Sequence, residues 1–263
     1  MKRPLPGTRV YLCYVKYLEG FIVKVEILGT GTATPSLKRL SSSYLVSTSW
    51  GNILVDIGPS VVRRLLEFDH TLNDIDMICL THFHPDHTVD LPTFLFACNY
   101  GETERRKPLR LLGGKGLRLL YRRMISIYPW IVPIKYDLTV TTTTKNVLRL
   151  GGVSVCTDSM KHRDESIGIR IEDGGKTAVF SGDTEYTPAL VGLASQADLL
   201  VVECSNPEEK VEGHMNLPAI LPLIREARPR RVILSHLYAS WEGFSGALPA
   251  PLMLGEDGLV VDL

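Results

Sequence analysis

Seven consecutive residues, Thr81-His82-Phe83-His84-Pro85-Asp86-His87, constrain this chain more than any other stretch. Three histidines and an aspartate fall within six positions, directly behind the apolar run Ile75-Asp76-Met77-Ile78-Cys79-Leu80. That run reads as a buried strand, so the cluster sits where a strand hands over to a loop, a usual place for chemistry on a rigid scaffold. Neutral imidazole and carboxylate suit borderline divalent metals, zinc above all. A single histidine here would read as a packed or surface side chain. Three with a carboxylate do not read as core, because unpaired polar groups are costly to bury. His82 and His84 are two apart and point the same way from an extended segment. Asp86 and His87 are adjacent, so only a loop lets both converge. One segment then feeds two metals, and it needs more ligands from downstream.

The chain is long enough for one large domain or two small ones: 263 residues, 44% hydrophobic. Twenty-nine basic residues balance twenty-nine acidic ones. The chain therefore lacks the overall basic character of a dedicated nucleic-acid binder. The five cysteines, Cys13, Cys79, Cys98, Cys156 and Cys204, are odd in number and widely spaced. They read as reduced thiols of a cytoplasmic protein. No apolar run approaches the ~20 residues of a membrane-crossing helix. Residues 1–23 read as an N-terminal extension of unclear role, with the main domain over residues 24–263.

Along the chain, Val25–Leu28 reads as the first core strand, followed by the loop Gly29-Thr30-Gly31-Thr32-Ala33-Thr34-Pro35. Ser43–Ser47 and Asn52–Ile57 read as strands, with Asp56 ending the second, either as a surface cap or as a group that orients the histidine loop. Ser60 opens a helix whose apolar stripe is Val61, Val62, Leu65 and Leu66, with Arg63 and Arg64 outward. Helices are expected at Leu91–Tyr100 and from Leu117 to about Tyr128, a strand at Leu109–Leu112, and β-leaning chain from Trp130 to Leu150. In the second half, Val153–Thr157 is a strand, and Asp173-Gly174-Gly175 turns a hairpin. Strands also end at Glu203 and His236, and Asn216 caps a helix. Alternating strands and helices argue an α/β architecture.

Five polar groups, His162, Asp183, Glu203, His214 and His236, stand at or near predicted strand ends. With the first cluster they complete two metal sites. His82, His84 and His162 hold one metal. Asp86, His87 and His236 hold the other, with Asp183 bridging.

Thr81–His87, Ser181-Gly182-Asp183-Thr184 and Ser235-His236 resemble the motifs of the metallo-β-lactamase superfamily. Gly29-Thr30-Gly31 with Pro35, and Lys161-His162 with Ser166 and Gly168, are similar to its ribonuclease Z group. The resemblance implies a four-layer αββα sandwich, two mixed β-sheets flanked by helices. It also implies two Zn2+ per chain, with Mn2+ or Fe2+ as substitutes, and a bridging hydroxide that Asp86 could orient. Glu203 and His214 resemble that group's acid–histidine pair, which protonates the leaving group. Homodimers are common in the superfamily.

One departure matters. The group's transfer-RNA arm usually lies between the third histidine motif and the bridging aspartate. Here twenty residues separate His162 from Asp183. This argues against extended transfer-RNA binding and for a phosphodiesterase acting on a small phosphodiester or nucleotide. Alternatives keep the fold and change the substrate: a thioester, lactone, sulfate ester or β-lactam, or precursor transfer RNA cut at its 3′ end. A further alternative is a ligand-binding module without catalysis.

Overall fold

The computed structural model describes residues 23–263. Of the expected N-terminal extension, only Val23 falls among them; it is buried, and its carbonyl accepts the N–H of Leu263.

The first sheet is built from β1 (Lys24–Gly29), β2 (Ser43–Ser47), β3 (Asn52–Val55), β4 (Ile75–Leu80), β5 (Leu109–Gly113) and β6 (Leu138–Thr142). The chain then passes to β7 (Asn146–Leu150), β8 (Val153–Ser159), β9 (Ile167–Asp173), β10 (Lys176–Phe180), β11 (Leu199–Glu203), β12 (Val232–Ser235) and β13 (Leu252–Leu254). It returns at β14 (Val260–Asp262) to the edge of the first sheet, whose order is β14-β1-β2-β3-β4-β5-β6. The second runs β13-β12-β11-β10-β9-β8-β7. Both are mixed: β3 to β6 and β10 to β13 are parallel blocks, and the remaining pairings are antiparallel. Parallel neighbours need crossovers. Helices α1 (Val61–Glu67), α3 (Leu91–Tyr100), α4 (Leu117–Ile127), α5 (Pro188–Ala194) and α6 (Leu217–Ala227) lie in them, and a single turn, α2 (Pro85–Thr88), follows β4.

Strand side chains alternate between faces, and this sorts the apolar residues into layers. Ile53, Val55, Met77 and Cys79 meet Ala178, Phe180, Leu199 and Val201 between the sheets. Their neighbours Leu54, Ile78 and Leu80 face outward onto Val61 and Leu65 of α1 and Phe94 and Leu95 of α3. Val179, Leu200 and Val202 pack on Leu190 of α5 and Ile220 and Leu223 of α6. The result is the expected αββα sandwich.

Some local expectations change. Leu66 is 58% exposed and outside the core, because a seven-residue helix buries one narrow stripe, here Val61 and Leu65. Arg64 folds back so that its Nε donates to the carbonyl of Leu28 (3.0 Å). β3 stops at Val55, because Asp56 turns to a left-handed φ of 61°. Residues Pro129–Ile131 form a 3-10 turn, so the β structure starts only at Leu138. The hairpin after Asp173 is as expected, with φ of 55° at Gly174 and 79° at Gly175, a combination that glycine adopts freely.

Phe180 is fully buried between the sheets and stacks on Tyr44 with ring centroids 5.1 Å apart. Phe180→Ala should cost about 3–5 kcal/mol in urea unfolding. A loss well below that range would mean that the sheets close over the hole.

Candidate metal centre

The carboxyl ends of β3, β4, β8, β10, β11 and β12 deliver the polar residues anticipated from the sequence. Ligand atoms of His82, His84, His162 and Asp183 lie within 4.8 Å of one another, as do those of Asp86, His87 and His236. Asp183 lies between the groups. Its carboxylate is 3.5 Å from the Nε2 of His82, 3.5 Å from that of His87 and 3.4 Å from that of His236. The Nε2 of His162 is 3.9 Å away.

Asp86 and His87 converge from a helical turn rather than an irregular loop. Pro85 opens α2, and the N–H of His87 donates to the carbonyl of His84 (3.0 Å). Asp56 anchors this segment. One carboxylate oxygen accepts the Thr81 N–H (2.7 Å), and the other accepts the Thr81 hydroxyl (2.8 Å) and His87 Nδ1–H (2.8 Å). Having donated its proton to Asp56, the Thr81 hydroxyl is left to accept from His82 Nδ1 (3.1 Å). His162 Nδ1–H donates to the carbonyl of Gly213 (3.0 Å). Each of these rings thus turns its Nε2 inward, the arrangement by which outlying hydrogen bonds aim metal ligands.

The donor set fits divalent cations. Among the described residues, His82 Nε2, His87 Nε2, Asp183 Oδ1 and both ring nitrogens of His236 are buried without a hydrogen-bond partner. Buried polar atoms are normally paired, and here the Nε2 atoms of His82, His87 and His236 all lie 3.4–3.5 Å from the Asp183 carboxylate. Burial, reinforced by the charge of His87, keeps His82 well below its ordinary pKa and so neutral. Burial works to raise Asp86, but contacts with His236 and His87 outweigh it and hold the carboxylate ionised. Burial likewise opposes a charged His87, yet Asp183 and Asp56 push its pKa well above the ordinary value. Positive charge is favoured at this point.

Glu203 and His214 meet beside the cluster. His214 Nδ1 is 3.2 Å from each Glu203 oxygen and 4.0 Å from Asp183. The His214 ring stacks on that of His236 with centroids 5.3 Å apart. Burial lowers His214, but the bond and charge of Glu203 prevail and raise its pKa. Burial raises Glu203.

Sequence reasoning left Thr81, Thr184, Glu185 and Gly213 without roles, although Thr81 and Thr184 lie inside the motifs. Gly182 has φ +57°, and a Cβ there would lie 2.6 Å from Thr81 Cβ. Asp183 therefore follows a position that only glycine fills without strain. Of the segment from Trp130 to Thr144, Trp130 and Ile131 line an apolar groove of about 920 Å3 with Val89, Phe96, Tyr100 and Tyr128. No member of the metal cluster lines it.

Residues 51–237 match the beta-lactamase superfamily domain. The chain belongs to that superfamily. It is a metal-dependent hydrolase. It is 26% identical over 227 residues to a probable metallo-hydrolase, YhfI of Bacillus subtilis, covering 82% of this chain and 87% of that one. It is 26% identical over 292 aligned positions to a ribonuclease Z of Brevibacillus brevis, covering 88% and 90%. The crystal structure of YhfI superposes with a TM-score of 0.76 at 22% identity, covering 92% and 99%. A diphosphatase of the PhnP family gives 0.72 at 18% identity, covering 92% and 98%. The two structural likenesses bear on the superfamily fold.

Asp56→Ala should release Thr81 and His87 together. Metal affinity in chelator competition should then fall about 10–100-fold. Unchanged affinity would mean that the ligands hold their places without it.

Proposed function

We propose that this hydrolase is a dinuclear zinc phosphodiesterase acting on a small phosphodiester or nucleotide. His82, His84 and His162 would hold one ion and Asp86, His87 and His236 the other, with Asp183 shared. Two bound cations would acidify a common water and neutralise charge on the phosphoryl oxygens. Asp86, held ionised by His236 and His87, is suited to orient that water.

The observation that carries the reading is the Glu203–His214 pair. A leaving alkoxide needs a proton, and His214 is a half-buried imidazole held toward its charged form by a buried carboxylate. A stable leaving group, as in many activated esters, makes less use of such a donor. The substrate size rests on the span between His162 and Asp183. It is occupied by β9, the turn at Gly174–Gly175 and β10, and these leave no room in the sequence for a transfer-RNA arm. The likeness to a ribonuclease Z favours a nucleic-acid end as the second reading. Efficient 3′-trailer cleavage of precursor transfer RNA would replace the first reading by the second.

Elemental analysis after zinc reconstitution should give two ions per chain. Asp183→Ala should lose both and His162→Ala mainly one, whereas one ion or none in the unaltered protein would end the dinuclear reading.

General acid catalysis is typically worth ~10²–10⁴-fold. His214→Ala should lose activity in that range on an alkyl phosphodiester and far less on an activated aryl one, with metal content unchanged. Glu203→Gln should show a weaker form of the same bias. Equal losses on both esters would remove the case for phosphorus over the other ester classes.

A further inference from the structure

The tripeptide Asp183-Thr184-Glu185 touches the metal cluster and the acid pair at once. The Thr184 N–H donates to Glu203. The Thr184 hydroxyl accepts the N–H of Lys161 (2.9 Å), the residue before His162. The Glu185 N–H donates to the Lys161 carbonyl (2.9 Å), and Glu185 Oε1 accepts the N–H of Gly213 (3.1 Å).

Gly213 immediately precedes His214, and its carbonyl is the acceptor for His162 Nδ1–H (3.0 Å). It has φ +78°, and a Cβ would lie 2.8 Å from His162 Nδ1. The contacts close a ring: Thr184 to Glu203, Glu203 to His214, His214 along the chain to Gly213, and Gly213 back to Glu185. Downstream the loop is fixed, because Met215 is fully buried and its N–H donates to Glu203 Oε2 (3.2 Å). Upstream, residues 208–210 and 212 are exposed. On that side the Gly213 N–H is held by Glu185.

We propose that Glu185 is a positioning residue that couples the metal centre to the proton donor. By holding one residue, Gly213, whose N–H and carbonyl flank its Cα, it sets both the inward aim of His162 and the place of His214. The second half of this inference rests on the reading of His214 as general acid. The other partner of Glu185, Lys161 Nζ at 2.7 Å, has a side chain 66% exposed, and an exposed ion pair contributes little. The effect therefore resides in the bond to Gly213.

The experiment compares Glu185→Ala, Glu185→Gln and Lys161→Met in the full-length protein. Three measurements are made: zinc affinity by chelator competition, amide hydrogen exchange across residues 206–216, and the ratio of alkyl to aryl phosphodiester turnover. Glu185→Ala should speed exchange at Gly213 and His214, weaken zinc by up to about tenfold, and lower the alkyl-to-aryl ratio as His214→Ala does. Glu185→Gln keeps an acceptor for the Gly213 N–H and should restore all three. Lys161→Met should change none of them. If Glu185→Ala does not fold, Glu185→Asp, which withdraws the carboxylate by one methylene, takes its place with the same expectations.

Unchanged exchange and zinc affinity in the disrupting variant would overturn the coupling, as would Lys161→Met reproducing its effects. If instead His214→Ala shows no leaving-group bias, the general-acid reading fails, while exchange and zinc affinity still decide whether Glu185 holds the loop.

Discussion

The structure turns on one buried carboxylate. Asp183 is 3% exposed and has imidazole nitrogens of five histidines within 3.4–4.0 Å. Burial by itself would drive it toward the neutral acid, but His236, His87 and His82 outweigh that and keep it ionised. A buried charge of this kind is tolerated only with close compensation. Asp56 and Asp86 are buried beside it, so the site concentrates negative charge where ring nitrogens also lack partners. Cation binding answers both demands, because it neutralises the carboxylates and occupies the lone pairs.

The sandwich explains how residues more than 150 positions apart reach one point. The parallel block β3–β4–β5–β6 and the parallel block β10–β11–β12–β13 lie in opposite sheets. Polar residues follow the carboxyl ends of β3, β4, β10, β11 and β12, the edge where open α/β sheets bind ligands. Alternation then divides the labour. Strand interiors supply the core between the sheets, and the first residues past each strand end are free to be polar.

Much of this was legible in the sequence, because strand-then-ligand patterns report directly on it. The apolar run Ile75–Leu80 followed by four candidate ligands, and Asp183, Glu203 and His236 each closing an apolar stretch, carry their meaning locally. The Asn216 cap was legible for the same reason, since its side chain accepts the N–H of Ala219 three residues on (3.2 Å). The supporting contacts were not. Glu185 to Gly213 spans 28 residues and Asp56 to His87 spans 31, and the partners meet only once β10 pairs with β11 and β3 with β4. Leu66 misled because apolar periodicity does not reveal how wide a stripe a short helix buries. Asp56 could be read from the sequence as a surface cap or as an orienting group, and its bonds to Thr81 and His87 favour the second; its left-handed backbone is set by tertiary contact and has no sequence signal of its own.

That backbone shows what holding the centre costs. Asp56 and His236 both have positive φ, 61° and 54°, an unfavourable state for residues other than glycine, of order 1–3 kcal/mol each. Both stand directly after a strand, where the sharp turn swings the side chain from the sheet direction toward the cluster. Each strained residue is held by bonds of its own. Asp56 accepts three donors from Thr81 and His87. The His236 N–H donates to the Ser42 hydroxyl (3.1 Å), and behind it Tyr44 donates to Ser235 (2.7 Å). Ser42 and Tyr44 lie on the first sheet side, whereas His236 follows a strand of the second. The turn that aims His236 is therefore secured from the opposite sheet, and the separation of the two sheets enters directly into the geometry of the centre.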